Sequence, residues 1–182
     1  VCSDRCFAMS RFITRFAEVV KIPEPMLTKT PINDIIGNCN IFLETLCTKH
    51  GAKLRLKLCE ENTEVNADCI LLEQALVNIV KNSAESIGMK TDKTQQGLVE
   101  ISTHADGSLI VTDNGIGISS EAKEHLFTPF YSSKPNGQGI GMMIVREILT
   151  KHHSTFSLST DTDGLTRFYI QFPYSCRTTA PQ

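Results

Sequence analysis

The chain has no tryptophan, no C-x-x-C pair and no cluster of basic residues. Nor does it hold an apolar run near the ~20 residues that span a bilayer, or a signal-peptide pattern. A net charge of −2 without a basic stretch argues against nucleic acid as a partner. Seven cysteines, Cys2, Cys6, Cys39, Cys47, Cys59, Cys69 and Cys176, are an odd number without metal-ligand spacing. They read as reduced core residues of a cytoplasmic domain rather than a disulfide frame or a zinc site. No Ser/His/Asp set, Cys/His pair or spaced histidine cluster is evident, and no histidine precedes His50. The chain opens without Met, so it is expected to be a fragment of a longer protein.

What is present suits one compact domain with a short appendage, since 182 residues at 41% apolar can bury a real core. Residues 3–21 carry Phe12, Ile13, Phe16, Val19 and Val20 at helical spacing, and Ile22-Pro-Glu-Pro25 ends that helix in an extended linker. Thr30 is the expected N-cap of a second helix, with Pro31 at its first position. That helix rests on Ile32, Ile35, Ile36, Cys39, Phe42, Leu43 and Leu46, and Gly51 stops it. Leu54, Leu56 and Leu58 alternate as a half-buried strand, and Asp68 can cap a third helix. After a polar loop over 88–97, residues 98–104 and 108–112 read as a hairpin turning at Ala105-Asp-Gly107. Ser119 starts a short helix to about His125, and a longer one runs from Met142 to His152, where His152-His153 suit a cap and dipole role. A final hairpin spans 155–159 and 165–172, and the tail 175–182 is expected to be disordered.

Three patterns carry chemistry. Strand residues Leu109-Ile110-Val111 deliver the carboxylate of Asp113 into a turn whose glycines, Gly115 and Gly117, allow close backbone approach. Such a carboxylate can accept a bond from an amino group like that of adenine, although Asp-Asn-Gly is also a plain hairpin signal. On the third helix, Leu72, Leu76, Ile79, Val80, Ser83 and Ile87 fall on one side, and Asn78, Asn82 and Glu85 form a second stripe. Carboxamide oxygens are hard neutral ligands suited to Mg²⁺, and the alternative is a solvated polar stripe. Last, Gly137-Gln-Gly-Ile-Gly141 opens a helix, where unpaired N–H groups and the dipole suit phosphate.

Leu72–Ile87, Val111–Ile118, Leu126–Lys134 and Asn136–Met142 resemble, in order and spacing, the N, G1, F and G2 boxes of sensor histidine kinases. The resemblance covers about residues 10 to 174. That family shares its Bergerat-type ATP-binding fold with DNA gyrase, MutL and the large heat-shock chaperones. It implies an α/β two-layer sandwich, a mixed and mostly antiparallel sheet with three long helices on one face. Residues 1–25 would be the end of a dimerisation and phosphoacceptor helix with its linker, 26–174 the catalytic domain, and 175–182 the tail.

By this resemblance, Asp113 reads adenine while Asn82, with Asn78, holds Mg²⁺. Lys134 lies where related kinases meet the terminal phosphate, so Asn78, Asn82 and Lys134 form the expected catalytic set. ATP would also touch Glu85, Gly115, Gly117, Ile118, Phe130, Gly137, Gly139, Ile140, Gly141, Met142 and Thr166. Phe127-Thr-Pro-Phe130 would pack the edge of a lid, short as in the nitrogen-regulation type. Hydrolytic relatives place a Glu four residues before the magnesium Asn, and here that position is Asn78, which cannot accept a proton. The implied reaction is transfer of the ATP γ-phosphoryl group to a His on a dimerisation domain missing from this chain, then to a response-regulator receiver domain. The parent would be a homodimer, membrane-anchored or not, and the chain alone a monomer. Two alternatives are a hydrolysing ATPase of the gyrase/MutL class and a non-enzymatic nucleotide-binding scaffold.

Overall fold

A computed structural model of the chain describes residues 22–92, 94–128, 130–131 and 139–173. The expected helix over 3–21 and the tail 175–182 lie outside the described residues. Two short strands come as an addition to the expected elements. β1, Thr28–Pro31, pairs antiparallel with β3, Glu64–Ala67. At four residues each, they are too short to register as a sequence pattern, even though β3 alternates buried and exposed positions. Their pairing also corrects the expected start of helix α1, Ile32–Lys49, whose N-cap is Pro31 without a side-chain cap. Thr30 is held in register opposite Val65, and its hydroxyl donates to Thr28 O at 3.2 Å.

Helix α1 buries Ile32, Ile35, Ile36, Cys39, Leu43 and Cys47. Phe42, expected on that face, is 54% exposed. Cys39, Leu43 and Cys47 stack at intervals of four, and Phe42 falls about 100° to one side of that row. Burial pushes the thiols of Cys39 and Cys47 up to about 11, so both are neutral core groups. Gly51, at φ +74°, takes the left-handed conformation that ends the helix.

Helix α2, Cys69–Gly88, is capped by Asp68, whose carboxylate accepts from Leu71 N (3.2 Å) and Met26 N (3.0 Å). The Asp68 N–H donates to Nε2 of His152 at 3.0 Å. His152 is the C-cap of helix α4, Gly141–Lys151, is 1% exposed, and has Nδ1 2.7 Å from Ile148 O. A backbone N–H on Nε2 and a carbonyl on Nδ1 fix the neutral tautomer with its proton on Nδ1. The expected cap role thus becomes a buried bridge that ties the start of α2 to the end of α4.

The five-stranded sheet contains β2 (Ala52–Lys57), β4 (Gly97–Thr103), β5 (Ser108–Asp113), β6 (Thr155–Thr160) and β7 (Thr166–Gln171). Its order is β2-β4-β5-β7-β6, with only the β2–β4 pair parallel. α1, α2 and α4 pack beside one another over one face, so the expected two-layer α/β sandwich is present. The short helix α3, Ser120–His125, is capped by Ser119 as expected. The other face is wet, as in many antiparallel sheets, and there Arg55 and Lys57 pair with Glu100.

Register places the inner-face residues in rows. One row runs Leu56, Ile101, Val111, Phe168, Leu158, and the next runs Leu54, Val99, Asp113, Thr166, Thr160. The second row ends in a carboxylate and two hydroxyls beneath the helices.

Candidate functional site

Asp113 is the last residue of β5 and is 4% exposed. Its Oδ1 accepts from Gly115 N at 2.9 Å, which curls the chain into the turn 113–118. The turn is not a hairpin: α3 follows it, and β5 has already paired with β4 and β7. Thr166 lies directly opposite Asp113 on β7, and its hydroxyl meets that of Thr160 at 3.1 Å. Thr160 Oγ1 also accepts from Ile118 N at 2.9 Å. Asp113, Gly115, Ile118 and Thr166 are therefore gathered at one end of the sheet.

Both glycines of the turn are required by close approach. A Cβ on Gly115 would lie 2.2 Å from Ser86 Oγ and 2.8 Å from the Ser86 carbonyl carbon, so the turn rests directly on α2. Gly117 has φ +78° and would place its Cβ 3.2 Å from Thr160.

The first carboxamide of the stripe, Asn78, faces the first residue of helix α4. Asn78 Nδ2 donates to Gln74 O at 2.9 Å. Its Oδ1 lies 3.1 Å from where a Cβ of Gly141, first residue of α4, would stand. A neutral oxygen thus sits beside a helix N-terminus, where unpaired N–H groups and the dipole favour anions. Asn82 and Glu85 follow along α2, both half-buried, with Lys81 3.9 Å from Glu85. Ile140 is the N-cap of α4 and offers no side-chain cap, while Met142 packs on the core.

The stem after α3 is held closed at its base. Phe127 meets Phe156 of β6 edge-on at 5.4 Å. Phe130, 40% exposed, has φ +63° and donates its N–H to Gly139 O at 3.1 Å. A Cβ on Gly139 would lie 2.5 Å from Phe130 C, so only glycine fits there. Lys134 and Gly137 lie outside the described residues.

Sequence reasoning missed the side chains that hold the turn. Ser86 Oγ accepts from Ile116 N at 3.1 Å, and Lys90 Nζ donates to Asn114 O at 3.0 Å. Asn114 Oδ1 accepts from Leu98 N at 2.8 Å, and its Nδ2 donates to Gln96 O at 3.0 Å. Ser86 was reachable, because it continues the Asn78, Asn82 spacing of four, whereas Thr160 becomes visible only through strand register. A cavity of about 380 Å³ beyond the turn is lined by His50, Lys90, Gln96 and Asn114 among others.

Comparison with known proteins speaks to the family and the fold. The family model for "Histidine kinase-, DNA gyrase B-, and HSP90-like ATPase" matches residues 67–175. The C4-dicarboxylate transport sensor protein DctB of Rhizobium meliloti is 32% identical over 138 residues, 75% of this chain and 22% of that protein. The sensor histidine kinase ZraS of Escherichia coli O157:H7 is 25% identical over 177 residues, 96% of this chain and 37% of that protein. The chain therefore spans well under half the length of these curated relatives. Among solved structures, the catalytic domain of histidine kinase ThkA superposes with a TM-score of 0.67 at 24% identity, over 81% of this chain and 95% of that one. At that identity the likeness speaks for the fold. More than half of the chain falls within the matched segment, and it belongs to the histidine kinase-, DNA gyrase B- and HSP90-like ATPase family.

Proposed function

We propose that this chain is the ATP-binding catalytic part of a sensor histidine kinase. ATP lies between α2, the turn 113–118 and the start of α4. Asp113 accepts the adenine amine, the backbone N–H groups around Gly139–Gly141 meet the phosphates, and Lys134 neutralises the terminal one. The observation that carries the reading is Asn78, a side chain without a basic group, with its oxygen facing the first residue of α4. Hard neutral oxygens at this place fit Mg²⁺, and Asn78 with Asn82 would hold it. When bound, the ion supplies charge neutralisation on the phosphates.

No carboxylate stands at position 78 to activate water, so the bond from the γ-phosphorus to its bridging oxygen breaks toward a better-placed acceptor. That acceptor is a histidine nitrogen on a dimerisation domain of the same parent, outside this chain. ADP leaves, and the phosphoryl group passes next to an aspartate of a receiver domain. Four free thiols among the described residues fit a placement in the reducing cytoplasm.

The test is calorimetric titration of a non-hydrolysable ATP analogue into the chain, with and without Mg²⁺, beside a phosphate-release assay with ATP. Binding strengthened by Mg²⁺, without steady phosphate release, is the expected result. Sustained release would favour a hydrolysing clamp. Absence of binding would favour a scaffold.

A further inference from the structure

The turn that carries Asp113 is held from outside by more contacts than a loop needs merely to close. Lys90, just past the end of α2, donates to the carbonyl of Asn114, and Ser86, in the last turn of α2, accepts from the amide of Ile116. Between those two bonds, Gly115 lies so close to Ser86 that any Cβ would meet its hydroxyl, its Cβ and its carbonyl carbon. The amide of Asn114 itself reaches Leu98 O at 3.3 Å. Three successive residues, Asn114, Gly115 and Ile116, are therefore seated on the end of one helix.

That helix also carries the phosphate end of the site. Asn78, Asn82 and Ser86 recur at intervals of four, so at ~1.5 Å rise per residue about 12 Å separates the first from the last along the axis. The distance between the adenine-reading turn and the phosphate-facing carboxamides is set by one rigid element rather than by two loops. A carboxylate accepts a bond from the 6-amino group of adenine, and it repels a carbonyl oxygen at the same place. Such discrimination holds only while the carboxylate cannot retreat. When it moves, water fills the gap and the lost contact costs less.

Resting on the assignment of Asp113 to adenine, we propose that Ser86 and Lys90 are positioning residues. They hold the backbone of 114–116 on the end of α2 and thereby set selectivity for the 6-amino purine. They act through the turn and touch no part of the nucleotide.

The test compares, by calorimetry with Mg²⁺, a non-hydrolysable ATP analogue and the same analogue carrying unsubstituted purine. The proteins are the wild-type chain, Ser86→Ala, Lys90→Met, the double variant and Lys90→Arg. The wild type should prefer the adenine analogue by about tenfold or more, the scale of a lost hydrogen bond in a fitted site. Ser86→Ala and Lys90→Met should each cut the adenine-to-purine affinity ratio by about threefold, and Lys90→Arg, which keeps a donor, should restore it. Lys90 is half-buried at the surface, so Lys90→Met keeps the test open if Ser86→Ala fails to fold. An unchanged ratio in the folded double variant, including equal loss on both analogues, overturns the positioning role and leaves the adenine reading standing. A wild-type chain that does not distinguish the two analogues overturns the adenine reading, and this inference with it.

Discussion

Two neighbouring rows on the inner face of the sheet have similar depth and different chemistry. Leu56, Ile101, Val111, Phe168 and Leu158 are apolar throughout, and Ile101 and Val111 are 0% and 1% exposed. One step along the strands, Leu54 and Val99 are followed by Asp113, Thr166 and Thr160, yet Asp113 and Thr166 are still only 4% and 7% exposed. Burying polar groups costs free energy unless they are bonded, and here hydrogen bonds run to the turn 113–118 and between the two threonines. The apolar row thus serves the fold. The polar row gives up part of that stabilisation to hold a carboxylate in place. Depth alone does not separate the two; the partners of each side chain do.

The comparison is broken most strongly from the apolar side. Ile101→Ala should cost about 2–5 kcal/mol of stability through a cavity in a closed core, read from urea unfolding. The folded fraction should bind nucleotide as the wild type does. Asp113→Asn should do the reverse. Its stability should change little, because an amide oxygen can still accept from Gly115 N, while affinity for the ATP analogue falls about 10–100-fold. A large loss of stability without a loss of affinity would assign Asp113 to the core row.

The helix layer above the apolar row supplies a test by pH. Cys39 and Cys47 titrate near 9.0 when unfolded and at about 11 in the native chain. As pH rises above 9 the unfolded chain therefore loses these protons first, which favours unfolding. Their contribution is fully present below pH 9 and should be lost between pH 9 and about 11. The urea midpoint of a Cys39→Ala/Cys47→Ala variant should fall less steeply across that window. The smallest effect is expected at Thr160→Val, which keeps shape but removes the acceptor for Ile118 N. Stability should drop by about 1 kcal/mol and nucleotide affinity a few-fold.

Much of the fold was legible because burial repeats with the period of the element that creates it. Ile32, Ile35, Ile36 and Cys39 mark α1, and Leu72, Leu76, Ile79 and Val80 mark α2. Asp68, Ser119 and Gly51 punctuate the chain by local bonding or backbone freedom, which needs no distant partner. β1 and β3 were not legible, because four-residue strands gain their stability from each other across more than thirty intervening residues. The same pairing moved the start of α1 past Thr30, and the row of Cys39, Leu43 and Cys47 left Phe42 outside.

For the site, the sequence by itself determined which chemical groups exist: a carboxylate before a glycine turn, carboxamides four apart on a helix, and glycines at a helix start. Those are short-range facts, set by spacing along one element. Tertiary structure alone decided that Thr166 stands opposite Asp113, that Gly141 faces Asn78, and that Ser86, Lys90 and Thr160 hold the turn. Each of those juxtapositions joins segments distant in the chain. It depends on strand register and helix packing, which follow from how the whole core closes rather than from any local run of residues.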